Sequence, residues 1–437
     1  MRKRRRRGVS LGTLVTLLLT AMVGAGCLLL FPRLMGNIGE RVDAQRVSVA
    51  LDASLRGLGQ SVTSGTQSRS PSSLADSQME AMPSPAPTAS PSPLRTLTLT
   101  ATGSISVDTP IQKACTGAQG YAFTPLLEAL TGSFQSDLNL ATLENLTMST
   151  EKLTDVNMPV DALAALQACG LNTLSTGFYG ALNCGVQGLQ ATHDALLQLG
   201  ITPYGAYPSA ESRSRVVTVD VNGLRVALLS FQGELSAAGK KRTTSEEQAF
   251  VIAPLTLPVI SQEIAAARAA GAQVVIVSLC WGKAGANAPS GTQQELARGI
   301  AAAGADLILG THSGTLQPLE LITSPGADGT TRQTLCAYSL GNLLQSDRER
   351  RETISGALLH VSMTYDASTG ALRFDTLSYT PTYVWRGKLD GKTAYRVLPG
   401  NVTPPDYVDA EQRKVMERCV KLVRDALAGS PVVEAQP

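Results

Sequence analysis

Apolar residues along the chain of 437 residues fall into distinct regimes. From Val9 to Phe31 they run on without a charge, far enough to cross a ~30 Å hydrocarbon core as a helix. Between Arg33 and about Gln60 they recur at helical spacing among charges, which predicts a short juxtamembrane helix. From Ser61 to Pro93 large apolar side chains give way to Ser, Thr, Pro and Ala, a composition too poor in hydrophobic surface to fold and stiffened locally by proline.

Beyond Leu94 the period alternates between strand and helix. RTLTLTATG predicts a strand ending in glycine. Asp161 to Cys169 and Gly188 to Leu199 read as helices, with a short strand from Leu171 to Ser175 between them and a stop at Gly200. Strands Val216 to Val221 and Leu224 to Phe231 flank Asn222-Gly223, the pair that tolerates the positive φ values of a tight hairpin. An Ala-rich helix from Leu257 to Ala270 feeds the apolar strand Gln273 to Leu279, and Thr292 to Ala303 feeds Asp306 to Leu309 in the same way. Thr334 to Leu340, Gly356 to Tyr365 and Ala371 to Tyr379 read as further strands, the last two joined by a turn from Asp366 to Gly370. Asp409 to Leu427 places Val415, Cys419, Leu422, Val423 and Ala426 on one helical stripe, with Gly429 as its stop; the stripe is expected to pack on the domain. Buried apolar strands beside an antiparallel hairpin predict a layered α/β fold with mixed sheets.

Charge refines this organisation. Arg2 to Arg7 form a basic cluster that holds the near side of the apolar run in the cytoplasm, so the chain is expected to be single-pass with its C-terminal domain outside the cell. Leu28 to Phe31 continue the run where a cleaved signal peptide would end, which favours an uncleaved signal anchor. Gly24-Ala25-Gly26-Cys27 resembles a lipoprotein processing site, but a larger aliphatic residue normally stands where Gly24 is. The predicted segments are a basic tail (1–8), an anchor (9–31), a juxtamembrane stretch and Ser/Pro-rich linker (32–93), a large α/β domain (94–400), and a C-terminal helix and tail (401–437). Net charge is only +2, much of the positive charge lies ahead of the anchor, and nucleic acid is excluded as a partner. Cys115, Cys169, Cys184, Cys280, Cys336 and Cys419 lie beyond the anchor; an oxidising compartment would permit disulfides among them, and small buried apolar residues are the equal alternative.

VVIVSLCWG, then QQELARGIAAAGADLILGTHSGTLQPLE, then AYSLGN, between Gln273 and Asn342, closely resemble the CapA family of poly-γ-glutamate capsule synthesis proteins. TATGSIS at Thr100, LATLENL at Leu140 and the stretch from Gly170 to Gly185 resemble the family's upstream segments in the same order. The resemblance covers Leu94 to roughly Pro399. It implies a metallophosphoesterase-like sandwich of two mixed β-sheets flanked by helices, a site built from loops at the strand ends, and a role in making or exporting an anionic surface polymer.

A two-metal hydrolytic centre needs His, Asp and Asn side chains converging on cations ~3.5–4 Å apart. Ser104 stands where the family has aspartate, Thr142 where it has asparagine, Phe178, Tyr179 and Gly180 where it has Asn-Asn-His, and Cys280 where it has histidine before Trp-Gly. Glu144 is retained, and in Gly310-Thr311-His312-Ser313-Gly314 a single histidine survives of the family's three. The chain has three histidines in all, His193 and His360 lying in a helix and a strand where structural roles are expected. The candidate pocket is therefore Ser104, Glu144, Cys280 and His312. The expected state is a metal-free pocket filled by Phe178 and Tyr179, with one zinc on Glu144, Cys280 and His312 as the alternative. Trp281-Gly282, Gln293, Gly304-Ala305-Asp306, Gln317-Pro318, Glu320 and Ser339 to Asn342 persist as scaffold. Retained scaffold with missing ligands predicts a non-catalytic or altered family member serving a cell-surface polymer or the envelope's biosynthesis proteins. Two alternatives stand beside it: an active metal-dependent hydrolase or transferase with a remodelled site, and a structural envelope protein engaging a partner through its C-terminal helix.

Overall fold

The computed structural model describes residues 94–148, 152–326 and 329–437. The predicted tail, anchor, juxtamembrane stretch and linker lie outside the described residues, among which no helix is long and apolar enough to cross a membrane.

Two mixed sheets form the domain. In the first, nine-stranded sheet, the opening strand Leu94–Ile105 is central, with Leu138–Leu143, Thr173–Ser175 and Thr202–Tyr204 following in parallel on one side. On its other side run Ser355–Asp366, Ala371–Leu389 and Lys392–Pro399, all antiparallel. The second, six-stranded sheet has a parallel core of Leu224–Gln232, Val274–Cys280, Leu307–Thr311 and Thr331–Ala337. Antiparallel Val217–Val221 and Leu319–Pro325 finish its edges. The hairpin into Leu224–Gln232 turns on Asn222 (φ 50°) and Gly223 (φ 76°), as the dipeptide predicts.

The sheets pack face to face. One continuous core joins Leu97, Leu99 and Leu140 of the first sheet to Val226, Ile276 and Leu307 of the second. Each large aliphatic side chain so buried contributes roughly 1.5–3 kcal/mol. Helices cover both outer faces: Leu163 and Leu166 of Val160–Ala168 pack on the first sheet, and Ile260, Ile264, Ala297 and Ile300 of helices Leu257–Ala269 and Gly291–Ala302 on the second. Strands enclosed on both sides must be apolar throughout, which is why VVIVSLC carries no polar alternation. Helix Gly291–Ala302 starts at a capping box between Ser290 and Gln293.

The C-terminal helix Ala410–Leu427 buries Met416, Cys419, Val420, Val423 and Leu427, so its apolar stripe belongs to the core. Its N-terminus is tied to the first sheet by Trp385, whose indole donates to Gln412 at 2.9 Å. Cys115, Cys169, Cys280, Cys336 and Cys419 are free thiols and Cys184 is buried, so the domain holds its cysteines as small core residues.

Three features depart from the sequence pattern. The strand expected to end at Tyr379 runs to Leu389, because Pro381 falls between its stretch paired with Val433–Glu434 and its stretch paired with Lys392–Pro399. Proline without a ladder N–H is tolerated there. The strand Lys392–Pro399 shows no alternating signature, and Thr202–Tyr204 is too short to show one, whereas the short strand expected at Leu171 to Ser175 is present as Thr173–Ser175.

Asp306 knots the second sheet. Its buried carboxylate receives Arg268 at 2.6 Å, Arg332 at 2.7 Å and the Val275 backbone N–H at 2.8 Å, joining a helix and three strand ends. Removing the carboxylate leaves two guanidinium groups partly buried without a counter-charge. Asp306→Ala is expected to lower unfolding free energy by about 2–4 kcal/mol, read as a drop in urea midpoint at unchanged slope.

Candidate functional site

Parallel strands of both sheets end at one edge of the sandwich, and the candidate residues sit on those ends. Ser104 lies beside Thr142 and Asn342 in register, Glu144 follows the strand Leu138–Leu143, Cys280 closes Val274–Cys280, and His312 follows Leu307–Thr311. Loops outside the carboxyl ends of such strands are where α/β proteins bind ligands.

The retained motif residues hold these ends together. A Cβ on Gly103 would stand 1.9 Å from the Gly341 carbonyl oxygen, so the two glycine segments approach closer than any side chain allows. The same construction at Gly310 meets the Tyr338 carbonyl oxygen at 2.0 Å. That oxygen accepts the Trp281 indole N–H at 3.0 Å. Asn342 donates to the carbonyls of Gly314 and Thr353, both at 2.9 Å, and Gln317 donates to that of Ala286 at 2.8 Å. Tyr338 donates its phenol to Glu320 at 2.7 Å. Trp281, Gln317 and Asn342 thus hold loop backbone, and Glu320 holds Tyr338, through bonds that involve no metal.

Chemistry at the site is subdued by burial. Desolvation pushes the Glu144 carboxyl above its usual range, against weaker opposing pulls from Ser104 and then His312. The Ser104 hydroxyl oxygen is buried and has no partner in hydrogen-bonding geometry, although it stands near enough to Glu144 to influence it. Desolvation first, and the Glu144 charge second, push the Cys280 thiol up to about 12, with the Tyr179 backbone amide pulling weakly the other way. His312 holds a left-handed backbone at φ 85°, a conformation that costs a β-carbon-bearing residue roughly 1–2 kcal/mol. Its ring lies 5.8 Å from that of Tyr179, tilted by 43°.

Glu144, Cys280 and His312 therefore share one neighbourhood, and Ser104 lies beneath it. Phe178 points into a separate core with Leu146, Leu182 and Leu189, whereas Tyr179 stands 41% exposed above His312. The expected filling of the pocket thus divides: Phe178 packs away and Tyr179 forms a wall. A cavity of about 470 Å³ opens there, lined by Tyr179, Cys280 and His312 together with Glu234 and Lys283. Sequence reasoning passed over Glu234 and Lys283. The signal was their position, two and three residues past strand ends Gln232 and Cys280 respectively. His193 is bonded to Thr176 at 3.0 Å with burial pushing its pKa down to about 4, and His360 sits 3.1 Å from each of Thr100 and Thr380.

A family model described as bacterial capsule synthesis protein PGA_cap matches residues 98–347, more than half of the chain. The chain belongs to this family. It is 27% identical over 245 residues to the PGA biosynthesis protein CapA of Bacillus subtilis, and 26% identical over 218 residues to the capsule biosynthesis protein CapA of Bacillus anthracis. Those matches cover 54% and 49% of this chain, and 60% and 50% of the relatives' own length. Among solved structures, a phosphatase of Mycoplasma pneumoniae aligns with a TM-score of 0.35 at 10% identity, covering 70% of this chain and 94% of the other. A calcineurin-like phosphoesterase of Bacillus subtilis aligns at 0.35 and 14% identity, covering 76% and 99%.

The two-cation centre implied by the CapA resemblance does not fit the donors of this member. Ser104 and Thr142 are buried neutral hydroxyls, and burial favours the protonated forms of Glu144 and Cys280. Among the described residues no three His, Cys, Asp or Glu side chains gather closely enough to hold a metal ion.

Two outcomes test this electrostatic picture. An acid whose folded pKa is raised carries no burial penalty at low pH, where it is protonated folded and unfolded alike; the penalty grows as pH rises through and beyond the unfolded value. Glu144→Gln is therefore expected to stabilise the protein at about pH 8 and to be nearly neutral at about pH 4, measured by thermal unfolding at both. Cys280 is expected to stay unmodified by iodoacetamide in the native protein at about pH 8 and to react on unfolding, by peptide mass mapping.

Proposed function

We propose that this family member is a membrane-tethered, extracellular protein that binds a cell-surface polymer or assists its assembly, without a metal-dependent hydrolytic step. The observation that carries this is the pairing of a hydrogen-bonded loop scaffold with a site whose Glu144 and Cys280 are held toward their neutral forms and whose neighbours Ser104 and Thr142 are hydroxyls. The basic cluster Arg2 to Arg7, the apolar run Val9 to Phe31 and the Ser/Pro-rich stretch before Leu94 support the tethered placement. The capsule-synthesis family supports a polymer as the partner. The predicted stripe on the C-terminal helix favours packing on the domain over a free partner-binding face, since Cys419 and Val423 are buried and Val415, Leu422 and Ala426 half-buried.

The test is elemental analysis of the purified full-length protein after exhaustive dialysis, with phosphoester and γ-glutamyl amide hydrolysis assayed with and without added divalent cations. Substoichiometric metal and no cation-dependent turnover are expected. A stoichiometric ion that is lost in His312→Ala together with hydrolytic activity would replace this proposal with the remodelled enzyme.

A further inference from the structure

The cavity above His312 has a lining that selects among polymers. Its open aromatic face is Tyr179, 41% exposed; Trp281, also in the lining, turns its ring inward to stack on Tyr338 at 5.8 Å and 17° and is only 3% exposed. Its charged groups are one ammonium, Lys283, and one carboxylate, Glu234, both exposed to solvent. A polyanion laid into this space would meet Lys283 but also the Glu234 carboxylate, and like charges at close range oppose binding. A planar apolar ring beside hydrogen-bonding groups of both kinds, donor at Lys283 and acceptor at Glu234, instead matches a ligand with an apolar face and a rim of hydroxyls. About 470 Å³ is room for a short run of such rings.

We infer that this cavity is a subsite for a neutral, hydroxyl-rich saccharide, with Tyr179 as the stacking platform and Glu234 and Lys283 as hydroxyl partners. The inference rests on the polymer-binding proposal above and names the class of polymer. Glu144 takes no part in it, and Cys280 contributes only wall.

The experiment is calorimetric titration of the detergent-solubilised full-length protein with three probes: a hexasaccharide of β-1,4-linked N-acetylglucosamine, maltohexaose, and poly-γ-glutamate of similar length. At least one neutral hexasaccharide is expected to bind, with affinity changing less than about twofold between low salt and about 0.5 M NaCl. Tyr179→Ala is expected to weaken it about tenfold and Tyr179→Phe by less than about twofold, because the ring is kept. Tyr179 is an exposed surface residue, so both variants are expected to fold, checked by an unchanged unfolding midpoint. Binding of poly-γ-glutamate alone, weakening with salt and with Lys283→Ala, would overturn the saccharide subsite and leave polymer binding standing. Saccharide binding indifferent to Tyr179→Ala would overturn the assignment of this cavity. Binding of none of the three would overturn both.

Discussion

Everything at the functional edge depends on two backbone approaches that exclude side chains. Gly103 lies against Gly341, and Gly310 against Tyr338, at separations where even a methyl group would overlap a carbonyl oxygen. The first contact fixes the opening strand of the first sheet to the segment Tyr338 to Asn342, and the second fixes Leu307–Thr311 of the second sheet to the same segment. One stretch of chain thereby sets the level at which both sheets terminate. The indole of Trp281 and the amides of Gln317 and Asn342 then fasten the loops to that reference. Such a frame is indifferent to what the loops carry, so its residues are kept while ligands are exchanged.

The exchange changes the physical character of the edge. Carboxylates and imidazoles around a cation form a charged cluster that is stable only because the ion compensates it. Hydroxyls at Ser104 and Thr142, a protonated thiol and a carboxyl with raised pKa need no such compensation. What remains open to solvent is the rim, where Tyr179, Glu234 and Lys283 stand. The binding proposed at this rim would be governed by shape and hydrogen bonding, with the buried groups as its foundation.

Much of this was legible in the sequence. Periodicity located the enclosed parallel strands and their helices because burial on two faces leaves an unbroken apolar run, as in VVIVSLC, and the Asn222-Gly223 turn declared its hairpin. Local pattern could not show Lys392–Pro399, whose order comes from pairing with a distant partner, nor the continuation of its neighbour past Pro381. At the site, motif order led to Ser104, Glu144, Cys280 and His312, but it treated Phe178 and Tyr179 as equivalent bulk. Their divergence arises in the loop after a three-residue strand, where Phe178 packs among Leu146, Leu182 and Leu189 while Tyr179 lines the cavity, and spacing does not encode it. Glu234 and Lys283 were invisible because solvated charges past a strand end are ordinary until a cavity forms between them.

The placement of Leu94–Ile105 also has a kinetic side. This strand, first of the domain in the chain, occupies the middle of its sheet, and its neighbours include Asn342–Leu344 and Ser355–Asp366 from far along the sequence. Closing so long a loop precedes the gain from pairing, which makes assembly slow and leaves the early strand's edges bare while the rest of the chain is being made. The second sheet's parallel core, by contrast, is built from segments close together in the chain, helices joining Leu224–Gln232, Val274–Cys280 and Leu307–Thr311, and only the edge strand Leu319–Pro325 intervening before Thr331–Ala337. Nascent order should therefore begin in the second sheet, and the functional edge, which needs both sheets, is the last region of the domain to acquire its shape.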